Sequence, residues 1–92
     1  MGADPISDGI RSIAANVRSL REDQELSQEA LAEAAGVDAK SVQLLESGSG
    51  NPTARLLIAI AGALGVQAGN LFRPAELVAR SPGRPKGSKK IV

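Results

Sequence analysis

Residues 26–47, which read LSQEALAEAAGVDAKSVQLLES, carry the signals of two short helices joined by a tight turn. Ser27 can accept hydrogen bonds from the free backbone amides at a helix start, and Asp38 can do the same for a second helix. Gly36 lies between them and can adopt the left-handed conformation that ends a helix. The stretch therefore predicts two abutting helices, the second over residues 39–46.

A helix-turn-helix imposes further demands on this stretch, because two helices that cross steeply need small and apolar residues at their contact. Ala32 supplies the small residue of the first helix, and Gly36 lies at the turn. Val42 and Leu45 supply apolar anchors in the second helix. The joint spacing predicts a helix-turn-helix, with the opposite face of the second helix turned outward.

Helical patterns continue on both sides of this motif. Before it, apolar residues spaced by three and four predict a helix from Ser7 or Asp8 to about Gln24. After it, Thr53 can cap a helix that ends at Gly65. A short fifth helix is predicted over residues 68–72, and it brings the two apolar residues at its end, Leu71 and Phe72, back to the core.

No strand pattern interrupts these helices, so the predicted fold class is all-α with five helices. We expect residues 8–79 to form one domain, preceded by a disordered N-terminus at residues 1–7. Residues 80–92 form a basic tail that we also expect to be disordered.

The composition excludes several classes of function. The chain has no His and no Cys, so the common metal sites and His- or Cys-based catalysis are excluded, and we expect no enzyme, metal or cofactor. No apolar run is long enough to span a membrane, and no secretory signal is evident. We therefore expect a cytoplasmic protein.

The charge is distributed unevenly along the chain. Residues 1–79 carry six Lys or Arg against ten Asp or Glu, whereas residues 80–92 carry five Lys or Arg and no acid. A basic tail on an acidic body is typical of an arm that binds a polyanion. A solvated terminus without a partner is the other interpretation.

The stretch from Leu20 to Phe72 resembles the lambda-repressor-like family of phage repressors and small bacterial regulators. The resemblance rests on Leu-Ser-Gln at 26–28, Gly-Val at 36–37, Asn-Pro at 51–52 and Ala-Leu-Gly-Val at 63–66. It implies a bacterial or phage-encoded protein with a five-helix domain that binds operator DNA, usually as a homodimer on a palindromic site. The implied function is transcription regulation, with no small-molecule effector because no effector domain is present.

The resemblance also implies contacts for individual residues. The groove-facing positions of the recognition helix, which contact base edges, are Ala39, Lys40, Gln43 and Leu44. The positions that contact phosphates are Gln28, Ser41, Ser47, Asn51 and Arg55. An ion pair between the first and third helices, which orients the recognition helix, is Arg21 with Glu46.

Two residues depart from the family pattern. Leu44 is apolar at a position that is more often polar, and it either touches a thymine methyl group or packs on a partner protein. Glu25 lies where the family often has a glycine in the left-handed conformation, which would cost about 1 kcal/mol of local strain.

The tail resembles an AT-hook, whose Gly-Arg-Pro core lies along the minor groove of A/T-rich DNA. Here that core is residues 83–85, and the cations of the tail that we expect in the groove are Arg84, Lys86, Lys89 and Lys90. The basic residue that usually stands directly before the glycine is missing.

A second function from a different class remains open. The same scaffold can serve as a protein-interaction module, such as an antitoxin-like partner, and Leu44 and the acidic body favour that interpretation. The apolar residues near the fifth helix have two possible roles: they form the contacts between two copies in a dimer, or they cover the core of a single copy. These residues are Leu71, Phe72, Leu77 and Val78.

Overall fold

The computed structural model of the chain describes residues 4–75, which fold into four α-helices followed by a short 3-10 turn. The elements in chain order are α1 (Pro5–Asp23), α2 (Gln28–Ala35), α3 (Ala39–Glu46), α4 (Ala54–Leu64) and the 3-10 turn Ala68–Phe72. Residues 4–75 contain no strand, which confirms the all-α class.

The short fifth helix predicted over residues 68–72 is present at those residues as a 3-10 turn, so the number of α-helices is four and not five. Gln67 provides no side-chain hydrogen bond at the start of the turn. Gly69 has a low helix propensity, and Pro74 cannot extend the segment as helix interior. Nothing at either end therefore favours the growth of an α-helix.

The caps of the three central helices confirm the sequence signals. The side-chain oxygens of Ser27, Asp38 and Thr53 each accept a hydrogen bond from the backbone amide three residues later, at 2.9–3.1 Å. Gly36 and Gly65 end α2 and α4 with φ of 75° and 77°. Only glycine adopts this conformation without an energetic penalty, so the glycine itself determines where each of these helices ends.

The start of α1 lies earlier than the sequence analysis predicted. Asp4 is its cap and accepts from the amide of Ile6 at 3.2 Å, while Pro5 occupies the first helical position. Proline is favoured there because its fixed φ suits a helix and its missing N–H has no partner to lose. Ser7 and Asp8, predicted as caps, lie inside the helix, so residues 5–7 belong to α1 and not to a disordered terminus.

The core is aliphatic and lies between the four helices and the 3-10 turn. Leu71 is fully buried, as predicted, but Phe72 is 58% exposed, so its predicted place in the core is wrong. Leu77 and Val78 lie outside the described residues. A 3-10 turn has about three residues per turn, and neighbouring side chains therefore point in different directions. The buried apolar side chains are Ile13, Ala14, Val17, Leu31, Ala32, Val42, Leu45, Leu57, Ile60, Ala61, Leu64 and Leu71.

One polar side chain, Asn16 of α1, is completely buried beside this core. Its Nδ2 donates to the carbonyl oxygens of Leu71 at 2.9 Å and Arg73 at 2.8 Å. Within residues 4–75 its Oδ1 has no hydrogen-bond partner. Asn16 thus fastens the 3-10 turn to α1 on both sides of Phe72.

The turn between α1 and α2 contains the expected backbone strain. Glu25 has a φ of 60°, in the left-handed region that glycine occupies more easily.

Among residues 4–75, no helix has the length and apolar character needed to cross a bilayer.

Candidate nucleic-acid interface

The face of α3 that points away from the core is polar apart from one leucine. Val42 and Leu45 are buried, and the helical period then turns Lys40, Gln43 and Leu44 outward, where all three are exposed. Ala39, the remaining predicted base-contact residue, is half-buried and packs against the core. Three adjacent side chains are thus available on one side of α3.

Leu44 is supported by the loop that follows α3. It is 50% exposed, and it lies so close to Gly50 that a Cβ there would be 3.6 Å from its Cγ and Cδ2. Gly50 has a φ of 84°, so a larger residue would also strain the loop. The loop therefore holds the leucine from one side and leaves its other side open.

A cleft opens beside Leu44 between the end of α3 and the start of α4. Its walls combine apolar side chains with hydroxyl and amide groups, and they consist of Ser41, Leu44, Leu45, Ser49, Asn51, Pro52, Thr53 and Leu56. Two of the predicted phosphate contacts, Ser41 and Asn51, are thereby brought next to the outward face of α3. Ser49 and Thr53 also belong to this polar rim. Neither was predicted to contact DNA, although the position of Ser49 in the Gly-Ser loop signals exposure.

At the last residue of α3, Glu46, an ion pair joins this helix to α1. Arg21 Nε donates to Glu46 Oε2 at 2.7 Å, and Arg21 Nη2 donates to Glu46 Oε1 at 3.0 Å. Arg21 Nη1 also donates to the carbonyl of Leu26 at 2.7 Å, in the turn before α2. The Glu46 side chain is only 4% exposed and the Arg21 side chain 12%, so this is a buried pair.

The pair is reflected in the pKa of Arg21. The hydrogen bond to Glu46 raises the pKa of the guanidinium above its ordinary value, burial opposes this, and the charges of Glu46 and Glu22 add to the rise. A basic group with a raised pKa contributes stability at every pH below its ordinary value and loses it only at higher pH. The arginine side of the pair is therefore fully charged throughout the neutral range.

Gln28 is coupled to this ion pair. Its Nε2 donates to Glu46 Oε1 at 3.1 Å, which leaves the second amide hydrogen of Nε2 for another acceptor. The side chain is half-buried at the start of α2. The buried carboxylate thus fixes the orientation of the amide that the sequence analysis assigned to a phosphate.

Asp38 is a carboxylate close to the same face, and it is engaged as a cap. Hydrogen bonds from Ser41 lower the pKa of Asp38 below its ordinary value of 3.8. Because the pKa is depressed in the folded chain, the stability that this cap contributes is present above pH 3.8 and is lost as the pH falls through the lower value.

The remaining predicted phosphate contacts differ in whether their polar groups are free to bind a phosphate. Ser47 Oγ donates to the carbonyl of Leu44 at 2.6 Å and accepts from the amide of Ser49 at 3.2 Å, so its hydroxyl proton is already committed. Asn51 and Arg55 are exposed, and Arg55 lines a groove with the end of α2. The predicted minor-groove residues Arg84, Lys86, Lys89 and Lys90 lie outside the described residues.

The charge and donor set limit the chemistry of this surface. Residues 4–75 carry six Lys or Arg against nine Asp or Glu, a net charge of −3. Within the same residues, no three Asp or Glu side chains cluster in a way that could hold a metal ion. The outward face of α3 can therefore form hydrogen bonds and apolar contacts, with one positive charge at Lys40.

Comparison with known proteins yields a family match and several similar structures. A family model described as "Helix-turn-helix" matches residues 17–70. The hypothetical transcription factor NHTF from Neisseria is 32% identical with a TM-score of 0.73, and the match covers 82% of this chain and 85% of that one. Among curated proteins, no sequence matches.

Two other solved structures are similar over about two thirds of this chain. The restriction-modification controller protein C.AhdI from Aeromonas hydrophila is 32% identical with a TM-score of 0.66, over 68% of this chain and 96% of that one. The clp gene regulator ClgR from Corynebacterium glutamicum is 29% identical with a TM-score of 0.63, over 67% of this chain and 66% of that one.

Proposed function

This chain belongs to the helix-turn-helix family, and from that membership we propose that it is a sequence-specific DNA-binding transcription regulator whose helix α3 enters the major groove. The observation that carries the proposal is the exposed row of Lys40, Gln43 and Leu44, on the side of α3 that faces away from its buried anchors. The similarity to a hypothetical transcription factor, a restriction-modification controller and a clp gene regulator supports it.

We assign base reading to the outward face of α3. Lys40 carries the donors that match the O6 and N7 acceptors of guanine, and Gln43 carries the donor and acceptor that match the N6 and N7 of adenine. Ala39 has no polar group, and its small side chain permits a close approach of the helix start to the groove.

Phosphate contacts come from residues that flank α3. Gln28 offers its free amide hydrogen beside Glu46, Ser41 and Asn51 offer donors at the cleft, and Arg55 offers its guanidinium at the groove beside the end of α2. Ser47 contributes only by giving up its bond to the Leu44 carbonyl. Because the described domain is net negative, residues 80–92 supply the electrostatic attraction to DNA, with their cations in the minor groove.

A random-pool selection of bound duplexes tests the main proposal, and we expect a palindromic consensus because two identical copies bind symmetric half-sites.

On that consensus, Lys40→Ala should weaken binding by about 5- to 150-fold, which corresponds to the loss of about 1–3 kcal/mol for a good base contact. Arg18→Ala is the matched control, because it removes an exposed positive charge from α1. Gel shifts at one fixed salt concentration measure both; failure to enrich any sequence contradicts the proposal.

Leu44 is proposed to contact the methyl group of a thymine. Its open side faces outward from α3, and the loop at Gly50 holds it in place. Replacing the contacted thymine by deoxyuridine, which lacks only that methyl group, should weaken binding by about fourfold, the equivalent of about 0.8 kcal/mol for one buried methyl group.

The control for this prediction is the variant Leu44→Ala, which should bind the thymine and deoxyuridine duplexes equally well. Deoxyuridine is substituted at each thymine of the consensus in turn, and competition binding measures the loss. If no thymine position distinguishes the wild type from Leu44→Ala, then the leucine does not read a methyl group.

The second candidate function is a protein-interaction module on the same scaffold. The half-exposed Leu44 and the net negative charge of the described domain favour it. The selection separates the two functions, because a pure interaction module enriches no DNA sequence.

A further inference from the structure

Arg11, in the second turn of α1, lies beside the loop that follows α3. A Cβ built on Gly48 would be 3.8 Å from Arg11 Cγ and 4.0 Å from Ala14 Cβ, so the stem of the arginine lies next to the backbone of this loop. The guanidinium itself reaches into solvent, because 66% of the side chain is exposed. The fold thus presents a positive charge from α1 at the end of α3.

The position of Arg11 is set by the way α1 packs along the end of α3. Ala14 lies near Gly48, and Arg21 is paired with Glu46, the last residue of α3. Arg11 is three residues before Ala14 and ten before Arg21, so the three side chains share one side of the helix. The ion pair that holds α1 against α3 therefore also holds Arg11 beside the loop.

The loop between α3 and α4, residues 47–53, contains no charged residue. Its side-chain donors are hydroxyls and one amide, and the hydroxyl proton of Ser47 is already committed. This loop directly follows the helix that is proposed to enter the major groove, so it lies close to the sugar-phosphate backbone that borders the groove. Arg11 brings to this place the positive charge that the loop lacks.

In the free protein the partner of Arg11 is Asp8, one turn earlier on the same helix. Arg11 Nη2 donates to Asp8 Oδ1, and the Asp8 side chain is 46% exposed. Exposed pairs of this kind contribute little free energy, so the guanidinium can exchange Asp8 for another anion. A phosphate group suits it well, because its oxygens match the two parallel donors of a guanidinium.

We propose that Arg11 binds a DNA phosphate beside the loop between α3 and α4, and that Asp8 weakens this contact by competing for the guanidinium. The inference rests on the proposed function, because it takes α3 to lie in the major groove. It adds a DNA contact from α1, whereas the predicted phosphate contacts lie between residues 28 and 55. It also assigns to one carboxylate of α1 an effect opposed to binding.

The salt dependence of binding to the selected duplex tests the contact. Arg11→Met keeps an aliphatic stem beside the loop and removes the charge, so it should weaken binding by about tenfold, as the loss of one hydrogen bond to a charged group does. The slope of log affinity against log salt concentration should become shallower by about 0.9 for each copy bound. Fluorescence anisotropy of a labelled duplex measures both quantities.

Arg73→Met is the matched control, because it removes an exposed arginine from another side of α1. The Arg73 carbonyl is bound by Asn16, which lies roughly 140° around the helix from Arg11, at about 100° per residue. The salt slope of this variant should equal that of the wild type. Circular dichroism should show the wild-type helical spectrum for both variants, since both side chains are exposed.

Duplexes that carry a single uncharged methylphosphonate locate the contacted phosphate. At one position in each half-site, the wild type should lose affinity and Arg11→Met should lose none. The position expected is at the border of the groove that faces the loop after α3.

The competition by Asp8 is tested with a double-mutant cycle. Asp8→Asn frees the guanidinium and should tighten binding by up to about fivefold, the upper strength of an exposed ion pair. The same substitution in the Arg11→Met background should leave affinity unchanged, because no guanidinium remains to be released. Equal tightening in both backgrounds overturns the competition, since Asp8 then acts only through its general negative charge.

An unchanged salt slope in Arg11→Met overturns the phosphate contact, as does a methylphosphonate series in which no position distinguishes this variant from the wild type. The proposed function fails by a different result: a wild-type chain that selects no duplex refutes it. A consensus that Arg11→Met binds with the wild-type slope refutes only the role of Arg11.

Discussion

Replacing Arg21 with methionine should lower the free energy of unfolding by about 3–5 kcal/mol. The guanidinium provides two hydrogen bonds to Glu46, whose side chain is only 4% exposed. Its removal leaves a buried carboxylate with Gln28 as its remaining side-chain donor. It also removes the bond to the Leu26 carbonyl in the strained turn beside Glu25. Urea unfolding followed by far-ultraviolet circular dichroism measures the loss.

Two further variants test whether the unpaired buried charge causes this loss of stability. Arg18→Met breaks the exposed pair with Glu22 and should change stability by less than about 0.5 kcal/mol, because surface pairs contribute little. The double variant Arg21→Met/Glu46→Leu should recover most of the lost stability, since it leaves no charge buried alone. A double variant no more stable than Arg21→Met alone would show that packing, and not the buried charge, causes the loss.

The second large effect is expected at Asn16. Asn16→Ala should lower the free energy of unfolding by about 2–4 kcal/mol, because the carbonyls of Leu71 and Arg73 both lose their donor in a buried setting. The 3-10 turn should also become the first part of the domain to open. Amide hydrogen exchange at Leu71 and at neighbouring residues measures this local opening alongside global unfolding.

Asn16→Leu separates hydrogen bonding from volume. Leucine fills the space of the asparagine but donates no hydrogen bond, so it should be destabilising as well. Asn51→Ala, at an exposed asparagine, is the control and should stay within about 0.5 kcal/mol of the wild type. Wild-type stability in Asn16→Leu would assign the effect to packing alone.

The sequence predicted the central helices well because their ends depend on neighbouring residues. Ser27, Asp38 and Thr53 act on amides three residues away, and the glycine stops act on their own backbone. The outward face of α3 was predictable for the same reason, since a helical period determines which side chains oppose Val42 and Leu45. The start of α1 is also signalled locally, by the cap Asp4 and by Pro5 at the first helical position.

What the sequence could not predict depends on contacts between distant segments. Apolar character alone places both Leu71 and Phe72 in the core, and only the packed turn decides which one is buried. Asn16 lies among apolar residues of α1, but its role depends on carbonyls 55 and 57 positions away. The bond from Gln28 to Glu46 likewise requires α2 and α3 to be folded together.

The aliphatic core has a practical result for the optical study of this protein. Tryptophan and tyrosine are absent, and the single phenylalanine lies outside the core, so the interior contains no chromophore other than the peptide bond. Ultraviolet signals from the ring therefore report on the surface at residue 72, while the amide bands report on the helices. Events at that surface and unfolding of the helices can thus be followed in one sample through two independent spectral windows.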